Sequence, residues 1–331
     1  MQSLPVWIYL GALAGAGLAA AGTLPLWRRW CVHAGVVDDP GHRKIHLEPV
    51  PLAGGLAVLS GLLLPVLAGA VGLQAGWLGS DTQAALEYGL ERRAGQLGIL
   101  LLGAVGMVAL GWWDDRCELR AGVKLAGQCA VAVLVAAAGV RITLFVPSAV
   151  FSYAATVLWV LAVTNAMNFL DNMNGLCAGL GVIASGLVAV LAAHMGQYLV
   201  ALAAFLAAGA LLGFLPFNFP RAKVFLGDAG SHLAGYLLAV LTILPHFYTS
   251  ENARPWAVAT PLLLLAVPLG DLAWVVADRW RRGAPIYVGD THHLSHRLVR
   301  RGWSQAQAVA LIWGAALALG GLAVGLQWGA T

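Results

Sequence analysis

Long apolar stretches alternate with short polar ones through the whole 331-residue chain. A helix needs roughly 17–25 apolar residues to cross a bilayer. Stretches of this length recur at about 5–27, 52–73, 95–113, 122–139, 153–170, 176–194, 197–216, 230–248, 256–276 and 304–328. The pattern predicts an all-α polytopic membrane protein with about ten transmembrane helices, forming one integral-membrane domain over residues 1–331.

Two of the polar stretches predict local structure outside these spans. Between residues 74 and 94 the chain is half polar, and Thr82 to Arg93 is expected to form a short interfacial helix. Residues 140–152 contain Val146-Pro147-Ser148 and are expected to form a short turn or hairpin.

The composition excludes an ordinary soluble protein. The chain is 60% hydrophobic and only 10% charged, with a mean hydropathy of +0.79, whereas a soluble domain is about 25% charged. The four cysteines show neither paired spacing nor a metal-binding pattern. Arg28 and Arg29 follow the first apolar stretch and no charged leader precedes it, so it is expected to be a retained span.

Basic residues are concentrated in alternate loops. The loops at 28–51, 114–124, 171–175, 217–229 and 277–303 hold 15 of the 19 Lys and Arg residues. The other four are Arg92, Arg93, Arg141 and Arg254. The positive-inside rule places the first set in the cytoplasm and both termini outside. Every aspartate except Asp81 also lies at this face, so we expect one composite site there.

The junction between the fifth and sixth stretches is unusually polar. Five amide or acid side chains occur within ten residues, and each costs roughly 1–3 kcal/mol if it is left unpaired in an apolar setting. They are Asn165, Asn168, Asp171, Asn172 and Asn174. We interpret this run as the floor of a polar site at a membrane face.

Two further runs carry carboxylates at the same face. Asp114 and Asp115 are adjacent and repel each other unless a cation or a basic group such as Lys124 lies beside them; a solvated loop start is the alternative. Asp228 lies between Gly227 and Gly230, close to Lys223, with Ser231 as the expected N-cap of the next helix. A helix start of this kind suits a phosphate and a bridging Mg²⁺.

Two loops contribute histidines. His292, His293 and His296 precede Arg297, and without cysteines this cluster favours phosphate contacts or proton transfer over zinc. In the first loop, the basic residues are Arg43, Lys44 and His46. General binding of anionic lipid headgroups and a specific phosphate site are both open for this loop.

Taken together, these runs resemble the polyprenyl-phosphate N-acetylhexosamine-1-phosphate transferases. The motifs are D-x-P-x-x-R-K-x-H, D-D, N-x-x-N-x-x-D-x-x-x-G-L and F-x-G-D-x-G-S, in this order, and the resemblance extends from Asp38 to Leu298. The histidine loop is more similar to the UDP-N-acetylglucosamine branch than to the phospho-MurNAc-pentapeptide transferases.

The resemblance implies a reaction, a cofactor and a location. A polyprenyl phosphate, such as undecaprenyl phosphate, attacks a UDP-N-acetylhexosamine and releases UMP, which initiates cell-envelope polysaccharide synthesis. The implied cofactor is Mg²⁺, with Mn²⁺ as an alternative ion. The implied environment is the lipid bilayer of the bacterial cytoplasmic (inner) membrane, and family members are often homodimers. No nucleic-acid partner is expected.

The resemblance also implies roles for individual residues. Asp114, Asp115 and Asp171 match catalytic aspartates, and Asp228 with Asp171 matches the metal site. The residues that match substrate-binding positions are Arg43, Lys44, His46, Lys124, Asn165, Asn168, Asn174, Lys223, His293, His296 and Arg297.

Two positions depart from the family pattern. Asn174 stands where members usually have an aspartate associated with the nucleotide pocket, and Ser295 stands where this branch often has a histidine. The first departure raises a catalytically altered or inactive relative as an alternative. A transporter or lipid-sugar flippase requires ionisable groups near the bilayer midplane. This alternative is disfavoured, because the acids of this chain cluster at one face and the interiors of the spans are nearly free of charge.

Overall fold

The computed structural model describes residues 4–39, 48–248, 255–285 and 290–328. These residues form twelve α-helices, one short 3-10 helix (Pro255–Ala259) and one pair of short strands, joined by loops. The helices are α1 (Val6–His33), α2 (Gly54–Gln74), α3 (Ser80–Cys117), α4 (Ala121–Ala137), α5 (Ala149–Phe169), α6 (Leu176–His194), α7 (Tyr198–Asn218), α8 (Gly227–Ile243), α9 (Thr260–Leu264), α10 (Ala266–Arg281), α11 (Leu294–Arg300) and α12 (Gln305–Trp328). The strands β1 (Val37–Asp38) and β2 (Val50–Pro51) pair antiparallel.

The chain is an all-α polytopic membrane protein, as predicted, but a count of ten spans is not confirmed. Among the described residues, seven helices are long and apolar enough to cross a membrane, or eight if Trp256–Leu264, which includes α9, forms one span with α10, bent by 75°. The helices α4 and α8 fall at predicted spans but have only 17 residues each. Both carry charged site residues in their first turns, which shortens their apolar part.

Two local expectations need correction. The predicted interfacial helix at Thr82 to Arg93 is the first part of α3, which runs unbroken for 38 residues from Ser80 to Cys117. Its polar start therefore projects along the axis of a spanning helix instead of lying across it. The region at 140–152 does contain a turn, but α5 already begins at Ala149, where Ser148 caps it by accepting from the backbone N–H of Phe151.

Helix α8 forms the centre of the bundle. It packs against α2, α3, α5, α6 and α7, and most of its residues are buried, including the polar side chains of Ser231 and His232. Close packing is possible because glycines face it. A Cβ atom on Gly111 of α3 would collide with the backbone of Asp228, so only glycine lets the start of α8 lie this close to α3.

The polar loops meet at one end of the bundle. The backbone N–H of Phe225, just before α8, donates to the carbonyl of Pro51 in β2 at 3.0 Å. The N–H of Gly175, the residue before α6, donates to the side chain of Asn218 at the end of α7 at 2.6 Å. The fold therefore places the motifs of separate loops side by side, as the sequence predicted.

Candidate active site

Lys124 lies between two aspartates that are far apart in the sequence. Its Nζ is 2.6 Å from Asp114 Oδ2 and 2.8 Å from Asp228 Oδ2. The three side chains come from α3, α4 and α8, and Asp114 is only 8% exposed. One ammonium thus neutralises part of the negative charge that two carboxylates bring to the membrane edge.

Asn168 completes this cluster from α5. Its Nδ2 donates to Asp228 Oδ1 at 2.6 Å and to Ser231 Oγ at 2.9 Å, while its Oδ1 accepts from Lys124 Nζ at 3.3 Å. Ser231 therefore bonds to Asn168 from within α8, which begins at Gly227, and the expectation that Ser231 caps this helix is wrong. Four helices are tied together at one point.

Asp115 caps the start of α8. Its Oδ1 accepts from the backbone N–H of Asp228 at 2.7 Å, and its Oδ2 accepts from the N–H of Ala229 at 3.1 Å. Gly227 has a φ of +73°, and a Cβ there would lie 2.7 Å from Asp115 Oδ2, so glycine allows this approach. The structure gives Asp115 a positional role; its catalytic role remains a prediction.

Asp171 lies in the loop between α5 and α6, near the same cluster. Burial raises the pKa of its carboxyl well above the usual range, and the negative charges of Asp228 and Asp115 raise that pKa further. Among the described residues, no hydrogen bond reaches this carboxylate. Asp171 is therefore a carboxylate that a cation would stabilise.

The loop after Asp171 is fixed by its neighbours. Asn174 Nδ2 donates to the carbonyl of Pro220 at 3.3 Å. Asn218, which accepts from Gly175, also donates from its Nδ2 to the carbonyl of Val224 at 2.9 Å. Asn174 thus takes part in joining this loop to the segment that precedes α8.

The histidine loop is attached to α10 by Asp271. His293 Nδ1 is 2.7 Å from Asp271 Oδ2, and the backbone N–H of Leu294 donates to Asp271 Oδ1 at 2.7 Å. Both side chains of the pair are almost fully buried. The ring of His293 also lies edge-on to Phe169, at the end of α5, with centroids 5.9 Å apart. This places His293 beside the Asp171 loop.

Ser295 connects the histidine loop directly to the polar junction. Its Oγ donates to Asn172 Oδ1 at 2.7 Å, and Asn172 Nδ2 donates to the carbonyl of Phe169 at 2.7 Å. Ser295 is fully buried. Ser295, one of the two residues that depart from the family pattern, is therefore part of the framework between two loops of the site.

An ion-pair network supports the outer side of this loop. Arg279 Nε is 2.9 Å from Asp290 Oδ2, and Arg282 Nη2 is 3.2 Å from the same oxygen. Burial alone would raise the pKa of Asp290, but these arginines and the backbone N–H of His292 hold it below its usual range. The pKa of His296 is lowered by burial and by the nearby His293 and Arg300. The guanidinium of Arg297 stacks on Trp274 at 4.4 Å.

The structure brings most, but not all, of the predicted site residues together. Lys223 is exposed, and in the described part of the chain its ammonium contacts none of the site aspartates. Asn165 lies one turn deeper than Asn168 and faces the bundle interior, where it bonds to Gln128. Arg43, Lys44 and His46 lie outside the described residues.

Comparison with known proteins identifies the family. The model of glycosyl transferase family 4 matches residues 97–246, which include the aspartate pair, the polar junction and Asp228. A Bacillus subtilis (strain 168) protein named "Probable undecaprenyl-phosphate N-acetylglucosaminyl 1-phosphate transferase" is 31% identical over 297 residues, covering 87% of this chain and 76% of its own. The chain belongs to glycosyl transferase family 4.

Two other relatives of this family 4 chain have similar names. A Mycobacterium tuberculosis (strain CDC 1551 / Oshkosh) decaprenyl-phosphate N-acetylglucosaminephosphotransferase is 36% identical over 335 residues, covering 92% of this chain and 80% of its own. An Escherichia coli (strain K12) undecaprenyl-phosphate alpha-N-acetylglucosaminyl 1-phosphate transferase is 28% identical over 314 residues, covering 90% of this chain and 78% of its own. The resemblance found in the sequence is thus confirmed.

The donor set of this family 4 site suits Mg²⁺. No group of three or more His, Cys, Asp or Glu side chains is preformed for a metal among the described residues. Mg²⁺ is commonly held by one or two carboxylates, with substrate phosphates and water completing its six oxygens. Asp171, whose pKa is raised first by burial and then by the negative charges of Asp228 and Asp115, gives the site such a carboxylate. Asp171 and Asp228 would hold the ion.

Sequence reasoning missed three residues that the structure connects to the site. In the sequence, Asp271 is one of many aspartates at the basic face, although an acid within an apolar span is a signal for a buried partner. Gln128 and His232 were not singled out, yet both are completely buried in the bundle. A polar residue four positions after a charged site residue on the same helix, Lys124 or Asp228, was the available signal.

Proposed function

We propose that this protein transfers N-acetylglucosamine 1-phosphate from UDP-N-acetylglucosamine to a polyprenyl phosphate and releases UMP. The observation that carries the proposal is the placement of Lys124 between Asp114 and Asp228, with Asp171 nearby, at the face where the basic loops converge. The names of the relatives support the choice of substrates. Its location in the cytoplasmic membrane, with the site facing the cytoplasm, is part of this proposal.

In the proposed reaction, an oxygen of the polyprenyl phosphate attacks the β-phosphorus of the UDP-sugar. A bond forms between them, and the bond from the β-phosphorus to the oxygen that it shares with the α-phosphate breaks. The electron pair of that bond leaves with UMP. A phosphate monoester is already an anion near neutral pH, so positioning and charge neutralisation contribute more to this reaction than a strong base.

The chain's own residues can supply most of this neutralisation. Lys124 has its ammonium at the centre of the cluster, where it can turn from the carboxylates to a phosphate oxygen. Asn168 and Asp115 hold Asp228 in place through its carboxylate and its backbone N–H, respectively. Bound Mg²⁺, held by Asp171 and Asp228, would neutralise phosphate charge. His293, His296 and Arg297 would contact the diphosphate or the sugar.

UMP release by the purified protein tests this proposal. We expect turnover with undecaprenyl phosphate, Mg²⁺ and UDP-N-acetylglucosamine, its loss with EDTA, and its recovery when Mg²⁺ is added back. Asp114→Asn should abolish it. Glu91→Gln, the same change on an exposed residue near the other end of α3, should leave it intact. Equal activity of the two variants, or no turnover with any UDP-sugar tested, would reject the proposal.

A further inference from the structure

A second set of polar side chains lies directly beneath the site. Three helices that each contribute a residue to the Lys124 cluster carry another polar residue one turn deeper in the bundle, since residues three or four apart share a helix face. The site and deeper residues are Lys124 with Gln128 on α4, Asp228 with His232 on α8, and Asn168 with Asn165 on α5. We call Gln128, Asn165 and His232 the inner layer.

Hydrogen bonds link the inner layer from helix to helix. Asn165 Nδ2 is 2.8 Å from Gln128 Oε1, and Gln128 Nε2 is 3.3 Å from His232 Nε2. Gln128 and His232 have no exposed surface. Buried polar groups in a membrane protein are costly and are usually retained for function. An apolar residue at either position would fill the same space without that cost.

The backbone fixes the direction of these hydrogen bonds. Asn165 Nδ2 is also 2.8 Å from the carbonyl oxygen of Leu161, which can only accept. The amide nitrogen of Asn165 must therefore face this oxygen, and the same nitrogen donates to Gln128 Oε1. The amide nitrogen of Gln128 is then left to donate to His232 Nε2. Tautomers and amide orientations are assigned from such networks.

The assignment leaves His232 as a neutral imidazole. Its Nε2 accepts from Gln128, so its proton is on Nδ1, which is buried and has no hydrogen-bond partner among the described residues. A neutral ring adds no charge next to the ion pairs that Lys124 forms with Asp114 and Asp228. A cationic side chain at this position would compete with Lys124 for Asp228.

We propose that the inner layer positions the site, with His232 and Gln128 as positioning residues that hold α8 and α4 in register beneath Asp228 and Lys124. This inference rests on the proposed function. Asn165, expected from the sequence to bind substrate, instead orders the inner layer through α5. The layer acts on the geometry in which Lys124 and Asp228 meet the transferring phosphoryl group, and small misplacements of such groups are costly.

Variants of His232 test the positioning role. We expect His232→Leu to lower kcat about tenfold or more, since displacements of about 1 Å can cost that much, while KM for UDP-N-acetylglucosamine changes less than about threefold. His232→Gln should recover most of kcat, because its Oε1 can replace Nε2 as acceptor. His232→Asn should not, because its shorter side chain reaches only the position of Nδ1. Thr242→Val, another buried polar position on α8, is the control and should keep wild-type kcat.

Two further measurements separate this proposal from the proposed function. In the double variant Gln128→Leu/His232→Leu, the loss of kcat should be no larger than in Gln128→Leu alone, because that single variant already removes the bond to His232 together with the bond from Asn165. In ¹⁵N NMR of histidine-labelled protein, the signal absent from His232→Gln should have the pattern of a neutral Nδ1–H ring. No turnover by wild-type protein would reject the proposed function, and NMR would still test the tautomer.

Three outcomes would overturn the positioning role. These are a wild-type kcat in His232→Leu, a His232→Gln variant no better than His232→Leu, and a signal that shows Nε2 carrying a proton. An equal loss of folded protein in His232→Leu and His232→Gln, measured by thermal unfolding, would also overturn it, because His232→Gln would then be no better than His232→Leu.

Discussion

The carboxylate of Asp115 holds the backbone N–H of Asp228 at 2.7 Å and thereby fixes the first turn of α8. The two members of the aspartate pair thus bind the same residue in different ways. Asp114 shares Lys124 with the side chain of Asp228, whereas Asp115 binds its main chain. The pair can therefore be separated by experiment.

Replacement of Asp115 should destabilise the start of α8. Asp115→Ala removes both acceptors, and the loss of a helix cap costs about 1 kcal/mol of unfolding free energy. Asp115→Asn keeps one acceptor oxygen and should retain more stability and more UMP release. Thermal unfolding and kcat of both variants are the measurements. If Asp115→Asn is fully stable but as inactive as Asp115→Ala, the carboxylate has a direct chemical role.

Replacement of Lys124 should leave two carboxylates without their shared cation. Lys124→Met is expected to lower the unfolding free energy by about 1–3 kcal/mol and to remove nearly all UMP release. Lys124→Arg keeps the charge with a different donor geometry, so it should restore stability more than activity. If stability and activity change in parallel in the two variants, so that Lys124→Arg restores both to the same extent, Lys124 has only a structural role.

The pH dependence of stability should reveal Asp171. Its pKa in the folded protein is raised well above the unfolded value of about 3.9, so its contribution to stability is present below that value and is lost as pH rises through the folded pKa. Asp171→Asn should therefore gain Tm relative to wild type by about 2 °C or more between pH 5 and pH 8, while it loses UMP release. A Tm difference that does not change with pH contradicts this prediction.

Asp290 provides a control with the opposite sign. Its folded pKa lies below the usual range, so its contribution is present above the unfolded pKa and is lost as pH falls through the folded pKa. Asp290→Asn should be less stable than wild type at pH 7, and this deficit should shrink as pH falls below about 4. The two variants would thus respond to pH in opposite directions.

The Ser295–Asn172 hydrogen bond should affect donor binding more than chemistry. Ser295→Ala removes a buried bond of about 1 kcal/mol between the histidine loop and the polar junction. We expect KM for the UDP-sugar to rise about fivefold with kcat within twofold, because that energy corresponds to such a ratio. Ser304→Ala, at an exposed turn before α12, is the matched control. A loss confined to kcat would place Ser295 closer to the chemistry.

The sequence by itself determined the fold class and the family, and it named most of the side chains that the structure brings together at the candidate site. Long apolar runs predict membrane helices because a helix needs such a run to cross a bilayer. The four motifs are specific enough to identify the family. The boundary of α3 was not predictable in this way. A polar helix end that continues a spanning helix has the same composition as a separate interfacial helix.

Only the tertiary structure decided which groups meet. Asp115 and Asp228 are 113 residues apart, and their hydrogen bond depends on the close approach of α3 to α8 that Gly111 allows. The inner layer forms because faces of three helices pack against one another. Sequence spacing shows on which face of its helix a side chain lies, but not which residue of another helix it contacts. Physical contact between distant residues is set by packing of the whole bundle, which no local pattern in the sequence contains.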